Sequence, residues 1–141
     1  MMKKLLALFS LCAVILSCEF VTSDNGDLDG FWQLRSLDSL NNGHSADMRK
    51  NGVYWGIQVD LLEARTEGTD VFFRFSHDGD SLLLSTPFLN DRDSGDIAVT
   101  DANILRPLGI NRLDERFWVV ELDGSTMILQ SAELRLYFRK Y

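Results

Sequence analysis

The chain has 141 residues, with 14 Lys and Arg against 21 Asp and Glu for a formal charge of −7. Hydrophobic residues at 45% and aromatics at 11% exclude a disordered chain, and the length fits one domain. The acidic balance excludes the basic face of a nucleic-acid binder, and two cysteines cannot build a disulfide scaffold.

At the N-terminus, Lys3 and Lys4 precede an apolar run from Leu5 to Leu16. A membrane span needs roughly 20 apolar residues, so this run reads as the apolar core of a signal peptide. Its end, Ile15-Leu16-Ser17-Cys18, resembles the lipobox of bacterial lipoproteins. The resemblance implies a diacylglyceryl group on the Cys18 sulfur and cleavage before it, so residues 1–17 are read as a signal peptide. Removing those 17 of 141 residues leaves 124, with 12 basic against 21 acidic side chains and a charge of −9. Cys12 leaves with the signal. Cys18 is then the sole cysteine, which excludes a disulfide, a cysteine-based zinc site and a free thiol nucleophile. The partner so implied is a membrane, reached through an N-terminal lipid anchor, with the cell envelope and its outer membrane as the location; several acyl chains make such anchoring stable. Residues 18–29, polar and turn-rich through Asp24-Asn25-Gly26-Asp27, read as a flexible tether.

The remainder, 30–141, is a series of short strand-like runs. From Val53 to Leu61 the odd positions are Val, Trp, Ile, Val and Leu, the period of a strand with one buried face. Glu67-Gly68 and Asp78-Gly79-Asp80 divide the runs that follow, and Asp123-Gly124 divides Arg116–Leu122 from Ser125–Gln130. Asp-Gly between apolar runs is a strong hairpin signal. Strands are expected at 31–38, 53–65, 69–76, 81–86, 96–100, 116–122, 125–130 and 133–140. One helical turn, capped by Thr100 and stopped by Pro107, is expected at 101–105. Eight short antiparallel strands must close into a barrel or a two-sheet sandwich to hide their edges.

Gly30-Phe31-Trp32 opens the first strand and is similar to the Gly-x-Trp signature of lipocalins. The final meander, Phe117–Leu122, Met127-Ile128-Leu129 and Leu136-Tyr137-Phe138, resembles that of small lipocalin-like lipoproteins of Gram-negative bacteria. The resemblance implies an all-β, up-and-down barrel of about eight strands. It also implies that Trp32 is stacked by an arginine of the last strand, with Arg135 and Arg139 as candidates. The mature chain is shorter than a secreted lipocalin and lacks its disulfide.

No catalytic constellation is present in the sequence. His44 and His77, the only histidines, fall in polar turns, no Gly-x-Ser-x-Gly or Gly-rich phosphate loop occurs, and the Asp-rich loops lack the Glu an EF-hand needs at its twelfth position. Glu63, Glu121 and Glu133 fall opposite the apolar faces and are expected to point to solvent. No metal or cofactor is expected. The alternation places Trp32, Leu34, Trp55, Ile57, Val59, Val71, Phe73, Phe75, Trp118, Val120, Leu136 and Phe138 inside, and Tyr54, Phe72, Phe117 and Tyr137 outside. Two functions fit this pattern. One is a binder of a small apolar or aromatic ligand in a barrel pocket near Trp55, Phe73 and Trp118. The other is a protein-protein interaction or inhibitor module that docks an envelope protein partner, with a filled core. A hollow and a filled barrel share one alternation.

Overall fold

The computed structural model describes residues 23–141; Cys18 and the signal segment 1–17 lie outside the described residues. The strands are β1 (Gly30–Ser39), β2 (Ser45–Asp47), β3 (Tyr54–Gln58), β4 (Leu61–Thr66) and β5 (Thr69–Asp78). They continue with β6 (Ser81–Asp91), β7 (Gly95–Ala98), β8 (Glu115–Leu122), β9 (Thr126–Gln130) and β10 (Leu134–Lys140). A 3-10 turn at Gly26–Leu28 precedes β1, and a 3-10 helix at Ala102–Leu108 joins β7 to β8.

Eight strands form an antiparallel ring in the order β1-β3-β4-β5-β6-β8-β9-β10, and β10 pairs back onto β1. Closure satisfies the edges that an open meander of these strands would expose. The expected all-β barrel is therefore present, with a different membership. The expected strand 53–65 is two strands, reversed at Val59-Asp60, where Val59 takes φ 57°. Beyond that turn the inward phase moves from the odd positions to Leu62 and Ala64. The expected strand at 96–100 is β7, which pairs only with the second half of β6 and stands outside the ring. Thr86, with φ 54°, marks the point where β6 leaves β8 to pair with β7.

Apolar plugs close both ends of the ring. At the end bearing the β3–β4 turn, Leu28 is fully buried and its carbonyl accepts a 2.9 Å hydrogen bond from Trp32 Nε1. Asn25 Nδ2 donates to the Val59 carbonyl at 2.8 Å, and the Val59 amide donates to Ser23 Oγ at 3.0 Å. Residues 23–29, expected to be tether, are thus tied onto the barrel. The driving force is Leu28, one apolar side chain in an otherwise polar stretch.

At the opposite end the 3-10 helix buries Leu105 and Leu108, and Ile110 follows them into the core. Asp101, not Thr100, caps this helix, accepting from the Asn103 amide at 3.0 Å. The helix passes through Pro107 and ends at Gly109, whose φ of 86° is left-handed. A Cβ at Gly109 would come within 3.1 Å of Leu136, so glycine serves both the turn and the packing.

The phase of β8 is the reverse of the expected one. Phe117 is fully buried, while Trp118 is 60% and Val120 46% exposed. The run is apolar in both phases, so its own alternation does not choose a face. Pairing with β6 does: Leu82, which points inward, lies opposite Phe117, and Ser81 lies opposite Trp118. A one-residue offset turns every side chain over. A bulge between Val119 and Glu121 then leaves both Val120 and Glu121 outside.

Candidate ligand-binding groove

The lumen, the expected pocket, is filled. Trp32, Leu34, Trp55, Leu62, Phe73, Leu84, Phe117 and Leu136 all have 0% accessible surface. A water-sized sphere touches none of them, which excludes a ligand-sized void along their surfaces. Trp55 meets the Phe117 ring at 5.7 Å and the Phe138 ring at 4.7 Å between centroids, within the range of favourable aromatic pairs. Its Nε1 donates to the Leu108 carbonyl at 3.0 Å, which stitches the wall to the helical plug. Trp55 and Phe73 therefore do share the interior as expected, but as core. Trp118 faces outward, away from them.

The signature residues also sort differently. Gly30 and Trp32 stand at the start of β1, and the cation over the Trp32 ring is Lys140, with Nζ 4.8 Å from the centroid. Register decides this, because Trp32 lies opposite Lys140 and Gln33 opposite Arg139. Arg139 is exposed, and Arg135 sits on the outer face with its guanidinium carbon 5.7 Å from the Tyr137 ring. Neither expected arginine reaches Trp32.

The concavity lies outside the barrel. A groove of about 880 Å³ runs along the outer wall of β1, β3, β4 and β5. Across it, Phe31 pairs with Gly56, Gly56 with Glu63, and Glu63 with Phe72, one outward residue from each strand. Three strand spacings put the two phenyl-bearing positions about 14 Å apart. Gly56 opens the floor: a Cβ there would lie 3.5 Å from the Phe31 ring, an ordinary contact, so its absence leaves a notch and not a relieved clash. Leu61 and Val59 continue the apolar floor to the β3–β4 turn, and Asp29 and Asp60 form the rim.

Glu63 faces outward as expected, yet its side chain is only 30% exposed. Burial, reinforced by the charge of Asp70, pushes its carboxyl above the usual range, against the pull of Arg65 at 3.8 Å. Arg65 is its ion-pair partner, at a distance longer than a hydrogen bond. The sequence carried one signal for this site, Gly56 within an otherwise bulky strand, where glycine marks a close approach or a gap. The groove is made by register across four strands, which sets Gly56 and Glu63 between Phe31 and Phe72, and alternation within one strand does not record register.

Among the described residues, no group of three or more His, Cys, Asp or Glu is placed to hold a metal ion. One other carboxylate is sequestered: Glu115, 1% exposed, accepts from the Asn111 amide at 3.2 Å and has Arg112 at 3.6 Å. Burial raises its pKa, partly offset by that amide and by Arg112.

Residues 11–141 match the family profile of the lipocalin-like domain. Among solved structures, a lipocalin-like protein from Bacteroides uniformis ATCC 8492 is 26% identical with a TM-score of 0.63, over 82% of this chain and 100% of that one. An uncharacterized protein from Bacteroides eggerthii DSM 20697 is 17% identical with a TM-score of 0.56, over 80% of this chain and 98% of that one. The latter likeness is one of fold alone. No curated protein matches the chain. An eight-stranded ring opened by Gly30-Phe31-Trp32 and a profile match spanning nearly its whole length give one conclusion: this chain belongs to the lipocalin-like domain family.

Proposed function

We propose that the protein is a lipid-anchored, non-catalytic binding protein of the cell envelope, held to the outer membrane through Cys18, that takes a small apolar or aromatic ligand. The binding site is the outer-wall groove between Phe31 and Phe72, and the lumen is a scaffold. One observation carries this reading: lumen side chains from Trp32 to Leu136 have no accessible surface, while the outer wall holds a groove of about 880 Å³ with an aromatic and apolar lining. Ligand sites are concave and mostly apolar with a few polar groups, and this groove has that character. The anchor rests on Lys3-Lys4, the apolar run and the Ile15-Leu16-Ser17-Cys18 lipobox.

Two measurements test it. Cys18→Ala should move the protein from the membrane fraction to the soluble one; unchanged fractionation would contradict the anchor. Native mass spectrometry of protein recovered from its own envelope should show a retained small molecule that Gly56→Leu abolishes. A molecule retained equally by that variant would place binding elsewhere.

A second reading has its own observation: Trp118 and Val120 are exposed side by side on β8, with Arg116 on the same face. Trp and Arg are enriched at protein interfaces, so this face suits an envelope protein partner. Under that reading Trp118→Ser would release a protein crosslinked in the native envelope, whereas Gly56→Leu would not.

A further inference from the structure

The groove has a sign as well as a shape. Its lining includes three carboxylates, Asp29, Asp60 and Glu63, and no Lys or Arg. Two of the three have partners that bear on their availability. Asp29 accepts from Asn25 Nδ2 at 2.8 Å, and Asp60 is paired with Arg74 at 3.2 Å on the exposed rim. Glu63 is different. It lies on the floor in register between Gly56 and Phe72, two-thirds covered, with Arg65 stopping 3.8 Å away. The Arg65 guanidinium is its ion-pair partner and also lies over the Phe31 ring, its carbon 5.1 Å from the centroid. A carboxylate removed from much of its water and held only by a long ion pair to Arg65 gains from a closer donor that arrives with the ligand. A cation is drawn to the ring quadrupole as well, as Arg65 already is at Phe31, so the ligand's own aromatic contact falls to Phe72.

Resting on the groove reading above, we propose that the ligand is an organic ammonium ion, an amine carrying an aromatic or alkyl group. Its N–H groups donate to the Glu63 carboxylate, and its apolar part lies between the Gly56 notch and Phe72. Carboxylate ligands of the same shape are disfavoured by Glu63, Asp29 and Asp60 together.

The probes are phenethylammonium, 2-phenylethanol and phenylacetate, which share a ring and differ in charge. Each is titrated into the protein at low salt and followed by amide chemical shifts of β3 and β4. The expected order of affinity is cation, then neutral, then anion. Glu63→Gln should weaken the cation by about threefold to fivefold, the size of one partly exposed charge contact, and leave the alcohol unchanged. Gly56→Leu should weaken all three by filling the notch, and it should fold, since its Cβ meets no atom closer than 3.5 Å. Equal binding of the three probes, all lost in Gly56→Leu, would overturn the cation preference while leaving the groove intact. Shifts from no probe, or shifts indifferent to Gly56→Leu, would overturn the groove itself.

Discussion

Truncating Trp55 to Ala tests whether the barrel is solid. The indole is fully buried, packed against Phe117 and Phe138, and hydrogen-bonded to the Leu108 carbonyl. Removing a buried Trp from a close-packed core costs about 3–5 kcal/mol, transfer and cavity terms together. The Leu108 carbonyl loses its donor inside the core, which adds about 1–3 kcal/mol unless water enters the void. The expected loss is therefore at or above the upper end of the cavity range, about 5 kcal/mol. That is comparable with the whole stability of a small domain. Equilibrium urea unfolding, read by far-UV circular dichroism, measures the loss as a fall in midpoint at constant slope. A Trp that lined a hollow lumen would forfeit contacts on one side only, and the cost would drop to about half. A measured loss below about 3 kcal/mol, with slope unchanged, would refute the filled-lumen reasoning. Xenon supplies a second readout, because a dry apolar cavity binds it. It should stabilise the variant and leave the native protein unaffected.

Lys140→Ala should destabilise by about 1–2 kcal/mol through loss of the cation over the buried Trp32 face, whereas Arg139→Ala should stay within about 0.5 kcal/mol; equal effects in urea unfolding would contradict the register of β10 on β1. Phe117→Ala should cost about 3–5 kcal/mol and Trp118→Ser less than about 1 kcal/mol, and the reverse order would mean the face of β8 is wrongly assigned. Glu115 has its folded pKa raised by burial, so the folded state holds this proton more tightly than the unfolded state. Its unfavourable contribution is absent below the unfolded glutamate pKa and grows as pH rises toward the folded value. Glu115→Gln keeps the acceptor for Asn111 and should be more stable than the native protein at neutral pH, with the gap closing in acid; a pH-independent gap in thermal unfolding would refute this.

The acidic surface works in the opposite sense. Ser45 and then Tyr137 donate to Asp38, and the Ser125 and Thr126 amides donate to Asp123, which lowers both pKa values. Their stabilisation is present above the unfolded aspartate pKa and fades as pH falls through the folded values. These are surface groups, Asp38 half-buried and Asp123 exposed, whose contributions are screened by water and salt.

Several features were legible in the chain by itself because they depend on local chemistry. The β5–β6 reversal falls at Asp78-Gly79, where Gly79 takes φ 57°, and the β8–β9 turn at Asp123-Gly124 is closed by the Asp123 carboxylate accepting from Ser125 and Thr126. Alternation in Leu134–Phe138 named the inward side of β10 because only one of its phases is apolar. Where both phases are apolar, as in Phe117-Trp118-Val119-Val120, periodicity is silent and pairing with Leu82 decided the face. The turn at Val59 has no local signature, because nothing in Val-Asp announces a left-handed residue.

What the sequence alone determined is the all-β class, the Asp-Gly turns and the Gly30-Phe31-Trp32 start, each written in a few adjacent residues. Only the tertiary structure decided that Leu28 and the 102–108 helix plug the ring, that Lys140 covers Trp32, and that the concavity lies outside. Those outcomes depend on strand register, which brings together residues tens of positions apart. Whether a barrel is hollow is likewise a matter of summed side-chain volume against enclosed space, and here bulky aromatics and two apolar plugs fill it.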